Sequence, residues 1–189
     1  KLVAPAAMNE TFGSCNIGSN TQIDIGQVGS SFLKRIHITA GNDCHIVLKS
    51  FRALNSTIGI SMSNSCVLEI AEGQNFNGVC LFQLPEPSRI IVGSDCGWAD
   101  GIVLTSDYHS LIDASSGRRI NHAKDVTIGD RVCFCRDFTI LKGANIGNDS
   151  VVAAKALVTS GTYENNVVLA GNPAKVVKRN IAWDISLLP

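Results

Sequence analysis

The chain carries a six-residue repeat from Ile128 onward, and this repeat restricts the possible folds more than any other feature. Cut in sixes from that residue, the sequence reads IGDRVC, FCRDFT, ILKGAN, IGNDSV, VAAKAL and VTSGTY. The first position is always aliphatic or aromatic, and the fifth position is mostly small. The first positions are Ile128, Phe134, Ile140, Ile146, Val152 and Val158, and the fifth positions are Val132, Phe138, Ala144, Ser150, Ala156 and Thr162. A short, fixed period of this kind indicates a solenoid.

A period of six fits a short strand followed by a corner, because helices repeat near 3.6 residues and half-buried strands near 2. Three such sides close one coil, so Ile128 is expected to stack on Ile146, which lies three hexads later. Successive coils should lie about 4.8 Å apart, as paired strands do. Each coil buries its apolar side only against its neighbours. The predicted fold class is therefore an all-β solenoid, and the handedness does not follow from the pattern.

The same phase continues upstream of the regular repeat. Position one is predicted for Val92, Trp98 and Leu104, and position five for Cys96, Ile102 and Tyr108. We expect three segments: irregular β-helix coils over residues 1–90, the regular hexapeptide part over 91–170, and a C-terminal tail over 171–189. A separate N-terminal domain is the alternative for the first segment.

Composition excludes several classes of protein. The 189 residues are 45% hydrophobic and 6% aromatic, which suits a strand-rich aliphatic core, and the formal net charge is zero. A neutral chain gives no electrostatic case for binding nucleic acid. We find no apolar run long enough for a transmembrane helix and no signal peptide at the start, so we expect a cytoplasmic protein. The seven cysteines are odd in number and scattered, which favours buried free thiols over disulfides.

The six-residue repeat breaks off after Leu104, and residues 110–125 fit no hexad. A loop that leaves a rigid scaffold and returns to it commonly binds ligands, although a tolerated surface insertion is the alternative. His109 precedes this excursion, and alternation along a strand predicts that its side chain and that of Asp107 point outward while Tyr108 points inward. A carboxylate beside an imidazole can fix the tautomer that a general base needs.

Four stretches of the chain resemble the hexapeptide-repeat acyltransferases with a left-handed parallel β-helix, most closely the bacterial capsule and polysialic acid O-acetyltransferases. The four stretches are Asp107-Tyr108-His109, the segment 117–129, the segment 139–143 and the closing segment, which comprises 170–177 with its Gly-Asn-Pro-Ala-Lys sequence and 180–183. The resemblance is specific over about residues 90–183 and only general before that. It implies a left-handed β-helix, O-acetyl transfer and acetyl-CoA as the acyl donor.

The resemblance also implies roles for individual residues. His109 takes the role of the general base that deprotonates an acceptor hydroxyl, with Asp107 beside it. The positions that match the coenzyme A groove are Arg136, Ala154 and Thr159, the positions near the phosphates are Lys175 and Lys178, and Lys155 is an additional contact. From their spacing of three hexads, we also expect Arg136, Ala154 and Asn172 to form one column on successive coils.

The sequence departs from the family at Cys133, where the relatives usually have Trp on the acceptor side of the site. This substitution leaves the acceptor open. Cys133 as a nucleophile is an alternative, although direct transfer needs no covalent enzyme intermediate. Arg118, Arg119 and Lys124 make the excursion basic, which suits an anionic saccharide or, equally, a solvated loop.

The expected partners are a saccharide acceptor, acetyl-CoA and two further copies of the chain, since the relatives are trimers with active sites between subunits. The expected activity is O-acetylation of a bacterial surface saccharide of the capsule, polysialic acid or lipopolysaccharide type. Three alternatives remain: acetylation of another small acceptor, such as an amino sugar, free sugar or xenobiotic; a β-helical zinc enzyme; and a non-catalytic β-helix scaffold. The zinc enzyme needs three histidines around one ion, which the four histidines of this chain do not readily supply, and no metal site is predicted.

Overall fold

A computed structural model of the protein describes residues 11–186. Short strands make up nearly all of the regular structure, together with one helical turn at Ser30–Leu33. The strands in chain order are β1 (Ser14–Ile17), β2 (Gln22–Gln27), β3 (Ile36–Ala40), β4 (His45–Leu54), β5 (Ile58–Met62), β6 (Val67–Ile70), β7 (Gln74–Phe76), β8 (Cys80–Leu84), β9 (Arg89–Val92), β10 (Gly97–Trp98), β11 (Gly101–Leu104), β12 (Val126–Ile128), β13 (Cys133–Phe134), β14 (Phe138–Ile140), β15 (Ala144–Ile146), β16 (Val151–Val152), β17 (Leu157–Val158), β18 (Gly161–Tyr163), β19 (Val167–Gly171) and β20 (Ala174–Arg179).

The strands stack into three parallel faces, as a three-sided solenoid requires. Face 1 contains β2, the first part of β4, β6, β9, β12, β15 and β18. Face 2 contains the second part of β4, then β7, β10, β13, β16, β19 and finally β20. Face 3 contains β1, β3, β5, β8, β11, β14 and β17. The chain passes from face 1 to face 2 to face 3 in each coil, so the fold is the predicted parallel β-helix.

Coil length explains why the repeat is visible only in the second half of the sequence. In the regular part, Ile128 pairs with Ile146, Phe134 with Val152 and Ile140 with Val158, each three hexads apart as predicted. The coils of the first half are longer, since Ser14 pairs with His37 and Ile36 pairs with Ile58. These longer coils are not whole multiples of the hexad, so their inward positions drift out of its phase.

The six first positions of the repeat are all buried, and so are five of the six fifth positions. Thr162 is exposed on β18, where the last turn of face 1 has no further coil on its outer edge. The predicted phase is also wrong on β11: Val103 is fully buried and pairs with Ile140, whereas Leu104 was expected there. The reason is that the corner between β10 and β11 is one residue shorter than the corner between β13 and β14.

The centre of the solenoid holds a column of aromatic rings on face 2. Trp98 stacks on Phe134 with ring centroids 4.2 Å apart and on Phe76 with centroids 5.3 Å apart. Its side chain is 1% exposed, and its Nε1–H donates to Oε1 of the fully buried Gln74 at 2.8 Å. A buried indole needs such a partner for its N–H group, which explains how a large residue occupies an inward position.

Side-chain oxygens close the corner between face 1 and face 2. The carboxylate of Asp130 accepts the backbone N–H of Ser94, and Asn148 Oδ1 accepts the N–H of Asp130 at 2.9 Å. A Cβ atom at Gly129 would collide with Asn148 Oδ1. Glycine at this corner therefore allows the neighbouring coil to approach closely enough for the ladder of hydrogen bonds.

All seven cysteines lie in the described residues and none is in a disulfide; five are buried and two, Cys133 and Cys135, are half-buried. After β19 the chain turns back, and β20 pairs antiparallel with β19 at the end of face 2. The tail then runs across the coils, where Trp183 Nε1 donates to the carbonyl oxygen of Arg131 at 2.6 Å. The first ten residues of the predicted N-terminal segment and the last three of the predicted tail lie outside the described residues.

Candidate active site

The excursion begins after β11 and returns to β12, at the corner between face 3 and face 1. It forms a short hairpin in which Ile112 and Arg119 make an antiparallel bridge. The Asp113 carboxylate accepts the backbone N–H groups of Ser115 and Ser116 at 3.1 and 2.7 Å and thereby closes the turn. The hydroxyls of Ser115 and Ser116 also donate to this carboxylate, and their hydrogen bonds, followed by those of the backbone N–H groups, lower the pKa of Asp113 to about 2. Ser115 and Ser116 therefore lie in the turn of a closed hairpin.

An ion pair fixes the hairpin to the preceding coil. Both terminal nitrogens of Arg119 donate to the Glu86 carboxylate at 2.6 Å, and the Ser106 hydroxyl donates to the same group. Hydrogen bonds from Arg119 and Ser106 lower the pKa of Glu86 to about 2. Two parallel N–H···O bonds make this one of the stronger kinds of ion pair. Glu86 was not singled out from the sequence, since it lies 33 residues from Arg119 in the irregular half of the chain.

The segment that carries His109 departs from the predicted extended strand. β11 ends at Leu104, and Tyr108 has a left-handed backbone with φ of 65°. The Tyr108 side chain is 53% exposed, so the prediction that it points inward is wrong. The alternation rule fails here because it applies only to extended backbone. His109 is exposed at the base of the hairpin, as expected.

The carboxylate of Asp107 has partners other than the imidazole of His109. Its Oδ2 accepts from Lys142 Nζ at 2.6 Å and from Asn121 Nδ2 at 2.8 Å. The hydrogen bond from Lys142 lowers the pKa of Asp107. Among residues 11–186, no side-chain hydrogen bond joins Asp107 to His109, so the expected orienting contact is absent from the isolated chain. Lys142 and Asn121 are further site residues that the spacing did not reveal.

Four of the residues predicted to bind the cofactor lie together at the corner between face 2 and face 3. Arg136 and Ala154 occupy the same place on successive coils, and the Lys155 N–H donates to the Arg136 carbonyl oxygen at 2.9 Å. Lys175 pairs with Ala170 at the same end of face 2. The Arg136, Lys155 and Lys175 side chains are exposed, and none takes part in an ion pair within the described chain. This corner therefore offers three cations and a small residue along one edge.

The other two predicted residues lie elsewhere. Lys178 pairs with Val168 at the opposite end of β20 from Lys175, next to face 1. Thr159 is half-buried at the corner that also carries His109, two coils further along the solenoid.

The expected column of Arg136, Ala154 and Asn172 is wrong at its last member. Val151 on β16 pairs with Val168 on β19, although the hexad predicts the residue after Val168. The last coil on face 2 is therefore one residue shorter than a regular coil, and Asn172 falls out of the column.

A cavity of about 580 Å³ lies on face 2 between the strands and the C-terminal tail. Its walls include Arg52, Asn75, Asp95, Cys133 and Trp183. Burial raises the pKa of the Cys133 thiol to about 11, which leaves it protonated near neutral pH and unsuited to nucleophilic attack. Face 2 lies across the three-sided solenoid from the corner that carries His109, so the cavity and His109 are on opposite sides of one chain.

A metal-binding cluster and a membrane-spanning helix are both absent from the part of the chain that the structure describes. No group of three or more His, Cys, Asp or Glu side chains within residues 11–186 is arranged to hold a metal ion. Over the same range, the structure has no helix with the length and apolar character needed to cross a membrane.

Sequence comparison shows similarity to polysialic acid O-acetyltransferases. The chain is 35% identical to that of Neisseria meningitidis over 157 residues, which cover 76% of the chain and 73% of the relative. It is 40% identical to the polysialic acid O-acetyltransferase of Escherichia coli O1:K1 over 96 residues, which cover 50% of the chain and 31% of that relative. No family model matches the chain.

Solved structures agree with the fold. The polysialic acid-specific acetyltransferase NeuO superposes with a TM-score of 0.68 over 94% of the chain and 90% of its own, at 23% identity, which supports the fold alone. The polysialic acid O-acetyltransferase OatWY superposes with a TM-score of 0.59 over 93% of the chain and 92% of its own, at 25% identity. The predicted fold and the resemblance drawn from the sequence are both confirmed. From the parallel β-helix and the extended identity to the meningococcal enzyme, we conclude that the chain belongs to the hexapeptide-repeat acyltransferases with a left-handed β-helix, in the group of the polysialic acid O-acetyltransferases.

Proposed function

We propose that this protein transfers an acetyl group from acetyl-CoA to a hydroxyl of a bacterial surface saccharide, such as a capsule polymer or its precursor. The observation that carries the proposal is His109. It is an exposed imidazole at the base of a hydrogen-bonded hairpin, in a chain that is 35% identical to a polysialic acid O-acetyltransferase. A hydroxyl is a weak nucleophile and needs a positioned base, and imidazole has the pKa range suited to that role.

The proposed reaction is a direct transfer. The acceptor hydroxyl gives its proton to His109 while its oxygen attacks the thioester carbonyl carbon and forms a tetrahedral intermediate. The C–S bond then breaks, and the imidazolium returns the proton to the leaving sulfur as free coenzyme A. The raised pKa of Cys133 supports this route over a covalent acetyl-cysteine.

The donor is proposed to lie along the corner that carries Arg136, Ala154, Lys155 and Lys175. Cations that pair with no carboxylate of the described chain are suitable partners for the phosphates of coenzyme A. The small side chain of Ala154 leaves room for a thin pantetheine arm beside the backbone. Lys178 and Thr159 are proposed as contacts for parts of the donor that extend beyond this corner.

An anionic acceptor is supported by the charges of the excursion. Of its three predicted cations, Arg119 is neutralised by Glu86, while Arg118 and Lys124 are exposed. Two exposed cations on the excursion that follows His109 favour a saccharide that carries carboxylates, because opposite charges steer its approach.

We further propose a homotrimer with each active site between neighbouring subunits. One chain presents His109 at one corner and the cavity with Cys133 on the opposite face, so a ligand cannot contact both within a single subunit. A second copy that supplies face 2 to the His109 corner of the first would enclose the site.

Free thiol release from acetyl-CoA tests the proposal, across a panel of sialylated, neutral and amino sugars. We expect release that depends on a saccharide and is strongest with sialylated oligomers, with an ester on the product detected by mass spectrometry. Release only with amino sugars, or with none of the saccharides while acetyl-CoA binds, would contradict the proposed acceptor. Failure to bind acetyl-CoA would contradict the donor.

Two histidine variants show whether His109 is the base. We expect His109→Ala to retain the fold and acetyl-CoA binding and to lose transfer by about 10²–10⁴-fold, the usual contribution of a positioned general base. His37→Ala is the matched control, because His37 is an exposed histidine on β3. Equal turnover in the two variants would eliminate His109 as the base.

A further inference from the structure

Asn121 is the most completely hydrogen-bonded side chain near His109, and the proposed reaction assigns it no role. It lies where the excursion returns to the solenoid, and it is only 7% exposed. A buried carboxamide is costly unless its groups are paired. Its position in the sequence, 12 residues after His109, gives no hint of contact between the two.

One amide group contacts three alternate residues of the segment that carries His109. Asn121 Nδ2 donates to Asp107 Oδ2 and to the His109 carbonyl oxygen, both at 2.8 Å. Its Oδ1 accepts the backbone N–H of Leu111 at 2.7 Å. The segment from 107 to 111 is therefore wrapped around a single side chain, with His109 at its centre.

The orientation of this amide is determined by its surroundings. Oδ1 also accepts from Arg119 Nε at 3.2 Å, so both donors that face it are N–H groups. An asparagine amide has two N–H donors and two acceptor lone pairs, and all four are used here. Aspartate lacks both donors, and glutamine is one methylene too long for the same space. The site is therefore specific for asparagine.

Asn121 is itself held from two neighbouring coils. Arg119 Nη2 donates to the main-chain carbonyl oxygen of Asn121 at 3.2 Å and is anchored to Glu86 on the preceding coil. Lys142, on the following coil, donates to the same carbonyl oxygen at 3.0 Å and to Asp107 at 2.6 Å. Three coils of a rigid solenoid thus hold the backbone of Asn121, and its side-chain amide in turn holds the backbone of His109.

We infer that Asn121 is the positioning residue of the active site: it sets the location of His109 through the backbone, in the place of the carboxylate contact that the Asp-x-His sequence suggests. This inference rests on the proposed role of His109 as the base. An imidazole held through its own main chain keeps both ring nitrogens free for the acceptor and the leaving sulfur. Proton transfer depends on such placement, and an error of about 1 Å can lower a rate about 100-fold.

The test compares Asn121→Ala and Asn121→Asp with two matched changes at Asn148. Asn148 also accepts a backbone N–H through Oδ1, but it lies at the corner between face 1 and face 2. We expect both Asn121 variants to lower kcat by about 10–100-fold, with the KM for acetyl-CoA changed less than about twofold. Asn148→Ala should lower the unfolding temperature and leave kcat within about twofold, and Asn148→Asp should change neither, because it keeps the accepting oxygen.

Two further readouts separate positioning from general damage. In a His109→Ala background, Asn121→Ala should reduce transfer no further, because residues that act as one unit are not additive. In hydrogen–deuterium exchange, Asn121→Ala should speed exchange of the amides of residues 107–120 and leave β12 to β17 unchanged. The exchange measurement does not depend on activity, so it tests the contact even if the wild-type protein shows no transfer.

The outcomes distinguish the inference from the proposed function. If the wild-type protein transfers acetyl groups and the Asn121→Ala variant keeps the full kcat, the inference is overturned and the role of His109 stands. Unchanged exchange over residues 107–120 would overturn it as well. An equal loss of kcat in the Asn148→Ala variant would show that the effect is structural and would also overturn it. Transfer that survives His109→Ala would instead overturn the proposed base.

Discussion

At the scale of single residues, Glu86 connects the excursion to the solenoid. Its carboxylate receives both terminal nitrogens of Arg119 and the Ser106 hydroxyl, and Arg119 in turn contacts Asn121. The side chains of Glu86 and Arg119 are each 24% exposed, which places the pair between a solvated surface contact and a buried one. Such a pair contributes more than an exposed one, since water competes less for its charges.

The lowered pKa of Glu86 predicts how the stability of the protein changes in acid. Its carboxyl has an ordinary pKa of 4.5 and is lowered to about 2 in the folded protein. Because the pKa is lower in the folded protein, the ionised Glu86 carboxylate stabilises the fold fully above about pH 4.5, and this stabilisation is lost as the pH falls towards 2. Carbon-13 NMR of the Glu86 carboxyl should give a titration midpoint well below 4; a midpoint above 4 would show that the bidentate pair does not form in solution.

Substitution of the same residue tests its contribution at neutral pH. We expect Glu86→Gln to lower the free energy of unfolding by about 1–2 kcal/mol, the range for a hydrogen-bonded charge that is partly exposed to solvent. Glu69→Gln is the matched control. Glu69 lies 3.8 Å from Arg89 and both side chains are well exposed, so its loss should cost less than about 0.5 kcal/mol. Equal losses in the two variants, measured by urea denaturation, would contradict the anchoring role of Glu86.

At the scale of elements, the short strands of face 2 owe their packing to the aromatic column. β10 and β13 are two residues long, and each contributes one inward ring, Trp98 and Phe134. Strands this short are not stable alone. Stacking along the axis of the solenoid joins successive coils, as does the ladder at the Gly129 corner.

Trp98 should therefore be the most sensitive position of the aromatic column. We expect Trp98→Ala to lower the free energy of unfolding by about 3–5 kcal/mol, the range for removal of a large buried aromatic residue. Trp98→Phe should cost about 1–3 kcal/mol, because it leaves the buried Oε1 atom of Gln74 without a donor. Trp183→Ala is the control: this half-buried indole lies on the tail, outside the core. A smaller loss for Trp98→Ala than for Trp183→Ala, measured by chemical denaturation, would contradict this account of the core.

At the scale of the whole molecule, the excursion carries a group of exposed apolar side chains. Tyr108, Leu111, Ile112 and Ile120 are 53%, 56%, 55% and 65% exposed. Large exposed apolar side chains that are concentrated in one segment commonly mark a contact between proteins. This supports the proposed trimer, in which the excursion of one copy meets its neighbour.

The mass in solution tests the assembly. We expect light scattering to give three times the chain mass of 20.1 kDa. Ile120→Asp should shift the population towards monomers and lower transfer, because a charge would replace an apolar contact. Leu81→Asp is the control, since Leu81 is 37% exposed on β8 of face 3, outside both the excursion and the corner proposed for the donor. A fully active monomer would rule out sites shared between subunits.

The sequence alone determined the regular coils, because each hexad encodes one side and the stacking of residues three hexads apart follows from a fixed coil length. It also located the exposed His109 and the excursion, since both stand at a break in the period. Only the tertiary structure decided that Asp107 bonds to Lys142, 35 residues away, and that Asn121 holds His109. Contacts between different coils depend on the length of each coil and on one left-handed residue at Tyr108, and no local period records either. The inward phase of β11 was missed for the same reason, because a corner that is one residue shorter moves every side chain of the strand to the other side.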